Sequence, residues 1–97
     1  MESKTKIIVI HEKDNVAVAL KPLKAGETIF IEIQGLQERI KLLSDIPMGH
    51  KIALVDIEEG AMVIKYGEAI GKASKKINRG AHVHIHNVVS QPRGVLQ

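Results

Sequence analysis

Apolar residues in this 97-residue chain occur in short bursts rather than in long periodic stretches. The bursts are rich in isoleucine and valine, and Gly, Pro, Asp or Asn bounds each of them, which is typical of strands separated by turns. They lie at Lys6–Ile10, Val16–Leu20, Thr28–Ile33, Arg39–Leu43, Lys51–Val55, Ala61–Lys65 and Ala81–Val89. No stretch has the spacing of a long helix. The pattern therefore predicts an all-β chain with little helix.

One segment is compatible with two structures. Leu36, Ile40 and Leu43 have the spacing of a short helix. Ile40 and Leu42 alternate equally well, as they would in a strand that follows a Gln-Gly turn signal. We predict a hairpin over Thr28–Leu43, with the short helix as the alternative.

A seven-residue pattern occurs repeatedly: an apolar residue, two variable positions, a glycine, two more positions and a β-branched residue. Its copies are Leu23–Ile29, Ile57–Val63 and Ile77–Val83. The pattern predicts a strand, a tight turn in which glycine adopts a positive φ, and a return strand. The chain is therefore expected to turn in the same way at each copy, within a compact β fold.

Composition excludes several classes of function. The net charge of +3 is spread without a basic block and aromatic residues make up only 2% of the chain, so a nucleic-acid partner is not expected. A modest positive charge suits a small carboxylate ligand or an acidic partner surface. Motifs for phosphate cradling, for a nucleophilic serine and for a His-Glu-x-x-His zinc helix are absent from the sequence.

The length allows one domain, which we place at residues 1–97 with an ordered core over about residues 6–89 and a tail at 90–97. The chain has no cysteine, hence no disulfide and no thiolate nucleophile. The first apolar run, Ile7–Ile10, is too short for a signal peptide or a membrane span. A cytoplasmic protein without a membrane partner is expected.

Three histidines occupy alternate positions, His82, His84 and His86. Alternate residues of a strand share one face, so the imidazoles would line up with neighbours roughly 6.6–6.8 Å apart. Neighbouring imidazoles can converge on one metal ion, but the outer pair of a straight strand is about 13 Å apart. A metal site would need a group from elsewhere or a bend near Asn87. Anion binding and acid–base catalysis are the alternatives without a metal.

Other polar groups are explained by turns when each is considered alone. His50 enters a strand together with Lys51. His11 ends the first strand, where a local turn accounts for it. Lys65 and Tyr66 either form a pair of proton donors or belong to a loop in which the tyrosine ring packs.

Taken together, these segments resemble the N-terminal domain of the altronate and galactarate dehydratase family. The similar runs are Ile10–Leu20, Gly49–Gly60, Val63–Ala73 and Gly80–Asn87. They occur in the right order from about residue 7 to residue 89, which makes the resemblance far more specific than any single motif. It implies an SAF domain with a β-clip fold.

The resemblance also implies a function. Enzymes of this family remove water from a polyhydroxy acid to give a 2-keto-3-deoxy acid, a reaction of carbohydrate metabolism, and related sulfolactate sulfo-lyases use a small subunit of the same kind. Fused family members continue into a large catalytic region. We therefore expect a small subunit that acts with a separate large catalytic subunit on a sugar acid, or else a fragment of a fused enzyme. A sulfo-lyase subunit and a non-catalytic carbohydrate- or protein-binding module are the alternatives, and homo-oligomerisation is left open.

Site residues follow from the motifs that match the family. The residues assigned to catalysis are His82, His84, Lys65 and Tyr66. Those assigned to substrate binding are His11, Asn15, His50, Lys51 and Asn87. The metal ligands are His82, His84 and His86, and by resemblance the ion is iron(II) or manganese(II).

Overall fold

The computed structural model describes residues 7–8, 13–33 and 35–90. Every regular element within these residues is a strand, which confirms the all-β prediction. The strands are β1 (Ile7–Ile8), β2 (Val16–Ala19), β3 (Thr28–Ile33), β4 (Leu36–Lys41), β5 (Lys51–Ala53), β6 (Met62–Lys65), β7 (Glu68–Ala73), β8 (His82–Val83) and β9 (Val88–Ser90). Within the described part of the chain, no helix is long and apolar enough to span a membrane.

The strands form small antiparallel sheets. A four-stranded sheet has the order β1-β2-β5-β8, and a three-stranded sheet has the order β6-β7-β9. Strands β3 and β4 form a two-stranded hairpin in which Thr28 pairs with Lys41 and Ile33 pairs with Leu36. The hairpin prediction is therefore confirmed, and the alternative of a short helix over Leu36–Leu43 is wrong.

One turn geometry occurs four times in the described residues, at the three predicted copies of the pattern and also at Ile46–Ile52, which fits the same pattern. The four turns span residues 20–27, 43–50, 54–61 and 74–81, and each has the same order of bend, bridge and turn residues along its backbone. Each contains a glycine with φ between 85° and 92°, the copies being Gly26, Gly49, Gly60 and Gly80. Only glycine adopts this conformation without strain, which explains its fixed place in the pattern.

The turns associate in pairs. Leu23 and Ile46 bond to each other through both backbone groups, and Ile57 and Ile77 do the same. An aspartate fastens each pair, because Asp45 Oδ1 accepts a hydrogen bond from the Ala25 N–H and Asp56 Oδ1 accepts one from the Arg79 N–H. The chain thus contains an internal repeat of two turns and one hairpin. The two halves meet at β5, which lies between β2 and β8.

The core consists almost entirely of Ile, Val, Leu and Ala, in two clusters. The first lies beneath β2, β3 and β4 and includes Ile29, Ile40, Ile46 and Ile52. The second includes Ile57, Val63, Ala73, Ile77 and Val83. These buried aliphatic clusters hold the turns in place and so fix the positions of the side chains that the turns carry.

The predicted strand Ala81–Val89 is interrupted, contrary to expectation. Strand β8 ends at Val83, residues 84–87 form a turn, and β9 begins at Val88. The buried Asn87 side chain causes the interruption: its Oδ1 accepts a hydrogen bond from the His84 N–H at 2.9 Å, and its Nδ2 donates to the His82 carbonyl at 2.8 Å. These local bonds replace the bonds of a strand ladder. The bend that the metal hypothesis required near Asn87 is therefore present.

Candidate functional site

His50 occupies the last position of the second turn. Its N–H donates to the Pro47 carbonyl, and the equivalent residues Glu27, Ala61 and Ala81 make the same bond in the other turns. Because glutamate or alanine serves the turn equally well, the fold does not require an imidazole at this position. The histidine is therefore a candidate for a role other than folding.

Three half-buried imidazoles meet where the second turn approaches β8; we call His50, His82 and His84 the histidine cluster. One ring nitrogen from each lies within 4.8 Å of the other two. His50 Nδ1 is 2.8 Å from His82 Nε2, so one of these nitrogens carries a proton that the other accepts. The rings are nearly parallel, and the centroids of His50 and His84 are 3.8 Å apart.

Long-range strand pairing brings these residues together. His50 directly precedes β5, and His82 lies in β8 opposite Ile52 of β5. The Asn87 bonds fold the following turn back, and this turn carries His84 and His86. His86 is exposed, and its ring centroid is 5.0 Å from that of His82 at an interplanar angle of 34°. The cluster thus contains two of the three predicted metal ligands, with His50 in the place of His86.

Burial and neighbouring positive charges lower the pKa values of two members of the cluster, His82 and His84. Burial lowers the pKa of His82, and the positive charges of the neighbouring imidazoles and of Lys51 lower it further. Desolvation also lowers the pKa of His84, followed by the charges of His50, Lys51 and His86. The His84 ring is half-buried, but its Nδ1 is fully covered and has no hydrogen-bond partner within the described residues. Neutral imidazoles are the form that accepts protons and binds metal ions.

Two lysines lie beside the cluster. Burial lowers the pKa of the Lys51 ammonium, and the charge of Lys65 lowers it further. Lys65 Nζ lies 4.6 Å from the centroid of the Tyr66 ring. Tyr66 itself has a φ of 57° in the tight turn between β6 and β7, and the next residue, Gly67, donates its N–H to Asp14 Oδ1. The tyrosine is half-exposed at the tip of this hairpin, so its hydroxyl is available to a ligand.

Two asparagines predicted to bind substrate also have structural partners. Asn15 Oδ1 accepts a hydrogen bond from the Ile64 N–H at 2.7 Å, and its Nδ2 donates to the Met62 carbonyl at 3.0 Å. Asn87 makes the pair of bonds described above. Both amides hold a backbone edge in place, and their roles in substrate binding stay predictions. His11, also assigned to substrate, lies outside the described residues.

Two cavities border these groups. A cavity of about 210 Å³ lies next to the histidine cluster and is lined by Lys51, Ile70, Val83, His84, Ile85, Val88 and Ser90. A second of about 230 Å³ is lined by Asp14, Val16, Ala17, Val18, Leu20, Gly49, Lys65 and Tyr66. Ser90 is a polar lining residue that no sequence motif indicated. The predicted catalytic residues are therefore divided: His84 lines the first cavity, Lys65 and Tyr66 line the second, and His82 is among the lining residues of neither.

The fold and the cluster together define an all-β domain that carries three imidazoles and two lysines on one part of its surface. The chain belongs to the family described as the altronate/galactarate dehydratase SAF domain, which matches residues 5–91. The resemblance found in the sequence is thereby confirmed.

Individual relatives are lyases. Altronate dehydratase of Escherichia coli (strain K12) is 49% identical over 80 residues, and altronate dehydratase of Bacillus subtilis (strain 168) is 44% identical over 80 residues. The matched region covers 82% of this chain but only 15% of either relative. The (2R)-sulfolactate sulfo-lyase subunit alpha of Chromohalobacter salexigens is 34% identical over 84 residues, which cover 82% of this chain and 89% of that subunit. The same domain thus occurs both as part of a long dehydratase and as most of a lyase subunit.

Proposed function

We propose that this chain is the small subunit of a sugar-acid dehydratase of the altronate dehydratase type, which acts with a separate large catalytic subunit to form a 2-keto-3-deoxy acid. The observation that carries the proposal is the histidine cluster with its adjacent lysines, on a domain 49% identical to part of an altronate dehydratase. On this proposal the domain is inactive alone. The cytoplasmic location stays a prediction.

The chemistry of dehydration matches the available groups. Loss of water from a hydroxy acid needs a base for the α-proton and an acid or a metal ion for the departing hydroxyl. His82 and His84, whose pKa values are lowered, are neutral near pH 7 and able to accept a proton. Lys65 and Tyr66 supply an ammonium and a phenol that orient the substrate carboxylate.

Charge supports an acidic substrate. The chain carries a formal net charge of +3. The histidine cluster contains no carboxylate, and Lys51 and Lys65 lie close enough for the charge of one to lower the pKa of the other. A carboxylate placed between these ammonium groups would relieve their repulsion.

The donor set fits a divalent transition metal ion, which would supply Lewis-acid polarisation of the departing hydroxyl. Imidazole nitrogens suit iron(II) well, whereas manganese(II) prefers oxygen ligands. Of the two predicted ions, the donor set therefore favours iron(II).

A second candidate is the small subunit of a sulfolactate sulfo-lyase. It is supported by the similarity to the (2R)-sulfolactate sulfo-lyase subunit alpha of Chromohalobacter salexigens, of which the matched region covers 89%. The two candidates differ in the leaving group, hydroxide or sulfite. A binding module without catalysis is the third candidate.

The test is to co-express the chain with a candidate large catalytic subunit from the same organism and to purify the complex. The purified complex is then assayed against a panel of hexonates and hexarates for 2-keto-3-deoxy acid, and against sulfolactate for released sulfite. Formation of a 2-keto-3-deoxy acid is expected. Release of sulfite alone would replace the dehydratase by the sulfo-lyase, and neither product would refute both lyase candidates.

A further inference from the structure

We propose that His50, His82 and His84 bind one divalent ion of the borderline class, such as iron(II), cobalt(II), nickel(II) or zinc(II), through three imidazole nitrogens. This inference rests on the proposed function only in assigning a catalytic use to the ion. It replaces the consecutive set His82, His84 and His86 by a set drawn from two distant parts of the chain.

Distances between the ring nitrogens support this set. Imidazole nitrogens bound to one ion at about 2.0–2.1 Å lie roughly 3 Å from one another. His50 Nδ1 and His82 Nε2 are already 2.8 Å apart, and the nitrogen of His84 completes a group within 4.8 Å. Binding through all three requires the rings to turn from their stacked arrangement, in which the centroids of His50 and His84 are 3.8 Å apart, so that each ring nitrogen points at the ion.

Hydrogen bonding leaves the cluster incomplete without a further group. His84 Nδ1 is fully covered and has no hydrogen-bond partner in the described part of the chain. Buried polar nitrogens are nearly always satisfied, so one without a partner requires an explanation. The nitrogens of His50 and His82 are close enough to share a proton, which a metal ion would displace. An ion bound through His84 Nδ1 would satisfy the unpartnered nitrogen and take the place of the proton shared by the other two.

The backbone holds the ligands in advance of binding. The backbone of each ligand residue is held by hydrogen bonds. The His50 N–H donates to the Pro47 carbonyl, and His82 belongs to β8, which pairs with β5. The His84 N–H donates to the Asn87 side-chain amide oxygen. In the three related turns the position of His50 is filled by Glu27, Ala61 and Ala81. Of the four turns, only the second has an imidazole at this position, and that imidazole lies against His82 of β8.

The charge balance of the site predicts how it responds to anions. Imidazole binds metal ions in its neutral form, so a bound ion keeps its full charge, and the Lys51 ammonium, whose charge acts on His82 and His84, adds to it. Three protein ligands leave coordination positions for other groups, as in catalytic zinc sites. A carboxylate with a neighbouring hydroxyl is therefore expected to tighten metal binding.

The experiment uses the full chain, freed of metal by chelation, and titrates it with cobalt(II) by absorption spectroscopy and with zinc(II) by calorimetry. One equivalent is expected to bind. His50→Gln and His84→Gln are each expected to weaken binding by more than about 100-fold, since even residues that only support a ligand cost 10–100-fold. His86→Gln is the matched control, and its affinity is expected to stay within about twofold of wild type.

Folding of each variant is checked by circular dichroism. If a variant fails to fold, selective broadening of the wild-type imidazole resonances by cobalt(II) identifies the ligands directly.

Absence of binding, an equal loss of affinity in His86→Gln, or an unchanged affinity in His50→Gln would each overturn the inference. Absence of metal binding in a complex that still dehydrates sugar acids would overturn the inference and leave the proposed function standing. Metal binding by His50, His82 and His84 in a complex without lyase activity would support the inference and refute the proposed function.

Discussion

Asn87 is the residue whose removal tests the link between fold and site most sharply. Asn87→Ala deletes an acceptor 2.9 Å from the His84 N–H and a donor 2.8 Å from the His82 carbonyl. Each backbone group left unpaired costs about 1–3 kcal/mol, and partial access to water at both residues favours the lower half of that range. We expect the free energy of unfolding to fall by about 2–4 kcal/mol. This loss lowers the urea midpoint of the metal-free chain by roughly 1.5–3 M.

The same change is expected to weaken cobalt(II) binding at least tenfold, because the turn that carries His84 loses its anchor. Asn15→Ala is the matched control, since Asn15 likewise makes one donated and one accepted bond with backbone groups, those of Met62 and Ile64. It should cost similar stability without changing metal affinity. Wild-type stability in Asn87→Ala, or an equal loss of metal affinity in Asn15→Ala, would refute the reasoning.

Further outcomes follow from packing and charge. A Cβ added at Gly71 would clash with the Val89 carbonyl oxygen, so Gly71→Ala is expected to displace β9 and to lower the urea-unfolding free energy by about 1–3 kcal/mol. Because the folded pKa values of His82 and His84 lie below the ordinary 6.5, the unfolded chain binds more protons near that pH. Stability of the metal-free chain, measured by urea unfolding, should therefore fall as the pH drops from about 7.5 to 5.5, and fall less when both histidines are replaced by Gln. Lys51→Gln is expected to raise the KM of the assembled enzyme for a sugar acid more than it lowers kcat; an unchanged KM would exclude Lys51 from substrate binding.

Local signals in the sequence were sufficient for much of the fold. The strand bursts and the glycine turns depend on backbone preferences within a few residues, so the hairpin from Thr28 and three of the turns could be predicted. The fourth turn follows the same pattern, with Ile46, Gly49 and Ile52 at its three fixed positions, so a local signal for it was present in the sequence as well.

The site depended on contacts that the sequence does not display. Alternation placed three histidines on one straight strand, but the Asn87 side chain competes with the strand ladder and bends the chain after Val83. His50 meets His82 across a separation of 32 residues, through the pairing of β5 with β8. Strand order is a property of the whole fold, and His50 considered alone is adequately explained as a turn residue.

On the proposed function, this domain completes an active site whose larger part lies on another polypeptide. The most direct test is to titrate the purified chain into a fixed amount of the large subunit and to measure dehydration of its preferred sugar acid. We expect a rate that rises with added chain and saturates at a fixed ratio of the two, while chain carrying both His82→Gln and His84→Gln assembles without restoring the rate. A rate that is independent of added chain would contradict the claim.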